Sequence, residues 1–136
     1  MYVGFIRPSR SSYGAPMLFQ MKKDTTKLRM FLDYWMLNKQ TVKNPYPLPL
    51  VAYCFNKLDK ARVFSKLDLG QGYYQVRITK SDEYKKTCVT RYGSFDFLIM
   101  EFGLCNAPAN FSTLMNNVLR SFLDKSVVVY LDDIIV

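Results

Sequence analysis

Asp132 and Asp133 stand side by side in Tyr130-Leu131-Asp132-Asp133, between Val127-Val128-Val129 and Ile134-Ile135-Val136. A carboxylate in such apolar surroundings shifts its pKa or finds a partner. A divalent cation held by oxygen atoms is a partner that can serve two carboxylates at once. Asp68 repeats the pattern, set between Leu67 and Leu69 at the end of an apolar run. Strand alternation turns its side chain away from those leucines. By the same parity Asp132 and Asp133 diverge, so at most one is a direct ligand shared with Asp68 and the other supports it. Alone, Asp68 also fits a turn cap, and the paired aspartates also fit a polar hairpin turn. Together, Asp68 and Asp132 on adjacent strand ends would supply the carboxylate pair of two-metal phosphoryl transfer. Lys22, Lys23, Lys27 and Arg29, on the early hairpin, make a cationic partner for a triphosphate available. Phe102-Gly103-Leu104-Cys105-Asn106-Ala107-Pro108 is either a plain loop or a place where glycine lets backbone approach a ligand.

Composition narrows the choices. The 136 residues amount to one domain or part of a larger protein, 49% hydrophobic and 22% charged, which suits a folded core rather than disorder. A formal charge of +8 favours a polyanionic partner, nucleic acid first. The chain has no histidine, which excludes the usual zinc sites and every histidine-dependent triad. Its three cysteines lie far apart and suit free thiols in a reducing compartment. No signal-peptide core and no run near the roughly 20 apolar residues of a membrane span are present. The expected location is therefore cytoplasmic or nuclear, with no membrane partner.

The elements that must position these residues follow from pattern. Residues 1–15 read as irregular. Met17–Met21 and Leu28–Asp33 read as a hairpin joined by a polar turn. Asn44-Pro45-Tyr46-Pro47-Leu48-Pro49 is a stiff connector, since proline fixes φ and removes donors. Leu50–Leu58 has helical spacing, and Ala61–Leu69 reads as a strand. Thr87–Arg91 and Phe95–Met100 flank a hairpin turn. Asn106 is the expected N-cap of a helix whose apolar stripe is Phe111, Leu114, Met115, Val118, Leu119 and Phe122. Val127–Tyr130 is the next strand. This order argues an α+β fold with helices on one face of an antiparallel sheet.

Seven ordered blocks resemble the reverse transcriptase domain of gypsy-like LTR retrotransposons. They are Gly4-Phe5-Ile6-Arg7-Pro8-Ser9 with Gly14-Ala15-Pro16, Lys22-Lys23-Asp24 with Leu28-Arg29-Met30, and Asp33-Tyr34 with Leu37-Asn38-Lys39. Tyr46-Pro47-Leu48-Pro49, Phe64–Leu69 with Gly72-Tyr73, and Phe102-Gly103-Leu104 with Asn106-Ala107-Pro108 follow, and Tyr130–Ile134 closes the series. The resemblance covers essentially the whole chain. It implies a right-hand polymerase, with fingers over residues 1–43 and 76–106 and palm over 44–75 and 107–136. The implied reaction is RNA-directed DNA synthesis, with a primer 3′-hydroxyl attacking a deoxynucleoside triphosphate (dNTP) on an RNA or DNA template. Asp68, Asp132 and the Leu69 carbonyl would bind two Mg2+ ions, with Mn2+ as a substitute, and Asp133 would complete the acidic site. Lys22 and Arg29 would meet the triphosphate, Tyr73 would exclude a 2′-hydroxyl, and Phe102 and Gly103 would line the nucleotide pocket.

Four departures stand out. Trp35 and Met36 replace polar residues, Thr25-Thr26 replaces a Gly-Ser turn, and Glu101 replaces a proline where an inward-pointing acid would repel a triphosphate. The resemblance also places the thumb and RNase H regions of the polyprotein beyond Val136. On that reading the hairpin after Asp133 is cut, its apolar edge is unpaired, and this segment alone extends a primer weakly or not at all. The competing expectation is an inactive retroelement remnant that at most binds nucleic acid.

Overall fold

Two short, largely apolar runs pair Ala15–Met21 (β2) with Leu28–Leu32 (β3) as an antiparallel hairpin, Met17 opposite Leu32 and Met21 opposite Leu28. The structure is a computed structural model that describes residues 4–21, 26–47, 49–59, 61–69, 72–123, 125–131 and 133–136. Its residues form two compact units, one from 1–42 and 73–105, the other from 43–72 and 106–136. Among the described residues no helix is long and apolar enough to cross a membrane.

The first unit holds a five-stranded sheet ordered β1-β6-β5-β2-β3, with β1 Ile6–Pro8, β5 Thr87–Thr90 and β6 Gly93–Phe97. The sheet is mixed, because β2 meets β5 in parallel through Ala15–Cys88 and Pro16–Val89, while its other pairs are antiparallel. β1 corrects the expectation of an irregular start. An edge strand tolerates Pro8, whose missing donor need not serve the ladder. Arg7 fixes β1 in place, its Nη1 2.9 Å from Glu83 Oε2 and its Nε 3.2 Å from Asp96 Oδ2. Burial alone would raise the Asp96 carboxyl, but hydrogen bonds from Ser9, Thr87 and Arg7 outweigh it and hold that carboxyl below the usual range. The core gathers Ala15, Leu32, Tyr34, Cys88, Phe97 and Ile99. Helix α1, Trp35–Gln40, starts where Asp33 Oδ1 accepts the Trp35 amide at 2.9 Å.

The second unit holds a three-stranded antiparallel sheet ordered β4-β8-β7, from Lys66–Asp68, Asp133–Ile135 and Val128–Tyr130. β8 is thus its middle strand, paired on both sides, which corrects the expectation of an unpaired apolar edge after Asp133. β4 is shorter than the expected 61–69. A strand lasts as long as its ladder, and among the described residues this one ends in reciprocal backbone bonds between Ser65 and Val136 of 2.8 and 2.9 Å.

Helix α2 is Val51–Leu58 and helix α3 is Ala107–Val118. Only part of the α3 stripe packs. Met115 and Leu119 join Leu69 and Leu123 against Val127, Val129 and Ile134, whereas Leu114, Val118 and Phe122 are exposed. Asn106 does not cap α3 with its side chain. Its Oδ1 instead accepts the Asn44 amide at 2.9 Å, and Asn44 Nδ2 donates to Asn110 Oδ1 at 3.1 Å. These bonds tie the proline-rich connector to the helix. Gly72 must lack a side chain, because a Cβ there would lie 2.9 Å from the fully buried ring of Phe111.

Candidate active site

The site in the second unit follows from the β4–β8 register. Asp68 lies directly opposite Asp133, and Lys66 opposite Ile135. Side chains alternate along a strand, so Lys66, Asp68, Asp133 and Ile135 share one face. The other face carries Val129 and Ile134, buried against α3 residues. Apolar packing on one side therefore leaves the carboxylates on the open side: Asp68 is exposed and the Asp133 side chain is half exposed. Lys66 Nζ lies 2.8 Å from Asp133 Oδ1.

Tyr130 pairs with Asp133 across the β7–β8 hairpin, and Leu131 opens the turn between them. Such turns require positive φ at their first position, normally supplied by glycine or asparagine. Leu131 takes it instead, at φ 55°. A bulky side chain in that region is strained, and strain of about 1–3 kcal/mol per residue concentrates at functional turns. Asp132 itself lies outside the described residues, as do Lys22 and Lys23. Among the described residues no group of three histidine, cysteine or acidic side chains could hold a metal ion. Asp68 and Asp133 do supply hard carboxylate oxygens on one solvent-open face, a donor set that fits a hard cation. Leu69, the proposed carbonyl donor, packs its side chain against the Val127, Val129 and Ile134 core.

The first unit brings Tyr73, Phe102 and Gly103 together. Tyr73 is buried and meets Phe102 edge to face, with ring centroids 4.9 Å apart. Tyr74 meets the same ring at 6.2 Å. Gly103 has φ 103°, and a Cβ would lie 3.0 Å from the Leu32 carbonyl oxygen, so both conformation and space select glycine. Arg29, on β3 opposite Gln20, is exposed.

Asn38 carries a role that sequence reasoning missed. Its Nδ2 donates to the Gly103 carbonyl at 2.7 Å, and its Oδ1 accepts the Cys105 amide at 2.9 Å. One amide thus clamps the backbone on either side of Leu104, just after Phe102. The available signal was Leu37-Asn38-Lys39 itself, a polar residue inside a short helix. Asn38→Ala removes both bonds, so amide exchange at Cys105 should accelerate by about tenfold. Exchange measured by NMR with Cys105 unchanged would mean the clamp does not hold the loop.

Glu101 does not point at the nucleotide side of its loop. It is 3% exposed, inside the first unit. Its Oε1 accepts the Tyr34 hydroxyl at 2.8 Å and lies 3.2 Å from Lys86 Nζ. Lys86, equally buried, also donates to the Ile99 carbonyl. Burial raises the Glu101 carboxyl, opposed by Lys86 and Tyr34, and burial lowers the Lys86 ammonium, opposed by Glu101. Burial and then Glu101 also raise the Tyr34 phenol. The expected repulsion of a triphosphate therefore has no source in this side chain. Trp35 and Met36 are exposed, and Lys39 Nζ sits 3.5 Å from the Trp35 ring centroid.

This fold is that of a polymerase. The chain superposes on a crystal structure of prototype foamy virus protease–reverse transcriptase with TM-score 0.83 and 25% identity, covering 98% of this chain and 18% of that one. The foamy viral enzyme in complex with double-stranded DNA gives TM-score 0.87 at 24% identity, over 97% of this chain and 23% of that one. Residues 20–136 match the family described as reverse transcriptase (RNA-dependent DNA polymerase), and the chain belongs to that family. An RNA-directed DNA polymerase homolog of Oenothera berteroana is 61% identical over 109 residues, 80% of this chain and 77% of that protein. The Tf2-3 transposon polyprotein of Schizosaccharomyces pombe is 39% identical over 133 residues, and the Pol polyprotein from Drosophila melanogaster transposon 297 is 39% identical over 137. Each match covers 98% of this chain but only 10% and 13% of those polyproteins. The resemblance to gypsy-like retrotransposon enzymes thus holds, and the chain is a reverse transcriptase segment. Enzymes of this family use divalent metal ions.

Proposed function

We propose that this chain forms the fingers and palm of an RNA-directed DNA polymerase that adds deoxynucleotides to a primer on an RNA or DNA template. The observation that carries the reading is Asp68 opposite Asp133 on an open sheet face, beside a hairpin turn strained at Leu131. The unit of residues 1–42 and 73–105 would be the fingers, and that of 43–72 and 106–136 the palm. Asp68, Asp132 and the Leu69 carbonyl would hold two Mg2+ ions, or Mn2+ in their place. Bound there, the ions would activate the primer hydroxyl and neutralise charge on the departing pyrophosphate. The protein's own share is positioning. Lys22 and Arg29 orient the triphosphate. Asn38 holds the loop whose Phe102 packs on Tyr73, the residue proposed to reject a 2′-hydroxyl.

Nucleic acid is the proposed macromolecular partner. The foamy viral enzyme is described in complex with an RNA/DNA hybrid and with double-stranded DNA. A net charge of +8 suits a phosphate backbone, and binding through phosphates weakens steeply with salt. The test places this segment in the matching position of a Tf2-type polyprotein and measures Mg2+-dependent primer extension. Extension above the background of an Asp68→Asn control supports the reading. Salt-sensitive template binding without extension would favour the second reading, an inactive nucleic-acid-binding remnant, which the exposed Trp35 and Met36 at a normally polar position favour.

A further inference from the structure

Phe102 and Gly103 are gripped before and after by one short stretch of chain, residues 32–38. After them, Asn38 holds the Gly103 carbonyl and the Cys105 amide. Before them, Tyr34 donates its hydroxyl to Glu101 Oε1 at 2.8 Å. Tyr34 opens helix α1, and its carbonyl accepts the Asn38 amide at 2.7 Å, so the two grips belong to one turn of backbone. The chain leading into the loop is fixed as well. Ile99 and Met100 are buried, and the Met100 amide donates to the Val76 carbonyl at 2.7 Å. Lys86 ties this segment to the grip, since one ammonium serves both the Ile99 carbonyl and the Glu101 carboxylate. Tyr34, Lys86 and Glu101 are all buried.

We propose that Glu101 is a positioning residue for the nucleotide loop: as the buried acceptor of the Tyr34 hydroxyl it sets where Phe102 and Gly103 stand, and with them the affinity for the incoming dNTP. The inference rests on the nucleotide-pocket reading of Phe102 and Gly103 and deepens it. The pattern this chain resembles has a proline at that position, whose ring restrains φ covalently. Here a carboxylate tied to a second element takes over the restraint. A buried carboxylate left without a partner is strongly destabilising, so Lys86 is the counter-ion that makes the acid tolerable. The acceptor, and not the charge, does the positioning. A loop that lines a binding pocket acts on ground state and transition state alike, so displacing it raises KM and leaves kcat in place.

Two double variants that both lack the buried charges separate these roles. Lys86→Met with Glu101→Gln keeps an acceptor for Tyr34, whereas Lys86→Met with Glu101→Met fills the space without one. With the segment in the matching position of a Tf2-type polyprotein, the first should keep the dNTP KM within about twofold of wild type. The second should raise it about tenfold, the equivalent of one buried hydrogen bond, with kcat and template–primer affinity changed by less than about twofold. Tyr34→Phe removes the other half of that bond and should add less than about twofold to the second variant. Arg7→Met breaks the anchor of β1 to Glu83 and Asp96 in the same unit, and should leave KM unchanged. On the 136-residue chain, 15N relaxation reads the loop without any activity. Order parameters of the Phe102 and Gly103 amides should fall from about 0.85 toward about 0.6 in the Glu101→Met variant and stay high in the Glu101→Gln variant. The Ile78 amide, bonded to the Leu98 carbonyl, should stay rigid in both, and circular dichroism checks folding. A loop that stays rigid in the Glu101→Met variant overturns the proposal. So does a KM raised equally in the two double variants, or equally by Arg7→Met, which would make the effect one of charge or of general stability. Those results with KM raised by Phe102→Ala leave the pocket reading standing. A KM indifferent to Phe102→Ala overturns both.

Discussion

Asp68→Asn is expected to lower primer extension by about 10³-fold while template–primer affinity stays within about twofold. The substitution keeps the shape of the side chain and removes its charge. Asp68 is exposed on β4, so no core packing is lost. The loss falls on charge stabilisation that the reaction needs at the phosphate being transferred. Binding should survive because it draws on the basic surface as a whole. A second consequence separates this explanation from simple unfolding. Asp68 faces Asp133 across the β4–β8 pair, so removing its charge relieves repulsion. The inactive variant should therefore melt no lower than wild type, with a gain of about 0.5 kcal/mol. Extension assays in the polyprotein context and urea melts of the segment read the two effects independently. Full extension by Asp68→Asn would end the metal-dependent reading. A large loss of stability would mean that the carboxylate serves the fold instead.

The sequence made the acids legible and left their geometry open. Asp68 drew attention because a charge between two leucines needs a reason, and the strand end it occupies is present. The β2–β3 and β5–β6 hairpins followed from short apolar runs and the turn residues between them, both local signals. What escaped was non-local. Nothing near Asp68 announces that Asp133, 65 positions on, will sit opposite it in register. Ile6–Pro8 looked irregular because its partner, β6, lies about 90 residues away and its proline is tolerated only at an edge. The α3 stripe was read as uniformly core-facing. Its residues divide between Phe111, which is fully buried, with Met115 and Leu119, which pack on the sheet, and Leu114, Val118 and Phe122, which are exposed. Asn38 was visible only as part of a familiar block, since a clamp on residues 103 and 105 is a property of the folded loop.

Glu101 is the sharpest case, and it yields the second large effect. An acid in place of a proline beside the nucleotide loop reads as damage. Lys86 lies in Glu83-Tyr84-Lys85-Lys86, where no local pattern marks one lysine for burial. Folded, the two are buried together and answer each other. Lys86→Met keeps the aliphatic stem but strips Glu101 of its cation, which should destabilise the segment by about 3–5 kcal/mol, a large share of the roughly 5–15 kcal/mol that folded domains possess. Adding Glu101→Gln removes the orphaned charge while still accepting the Tyr34 hydroxyl, and should restore about half or more of the loss. The pH dependence has a definite sign. Burial already raises the Glu101 carboxyl with Lys86 present, and removing Lys86 deletes the largest opposing influence. The variant's folded state then binds a proton that the unfolded chain, with an ordinary carboxyl near about 4.3, has released. Between that value and the raised folded one, stability falls as pH rises. The deficit of Lys86→Met should therefore shrink as pH is lowered from 7 toward about 4.5. Urea denaturation at both ends of that range measures it. A deficit that is small at pH 7, or that does not narrow in acid, would show that Lys86 and Glu101 do not depend on each other in the folded protein.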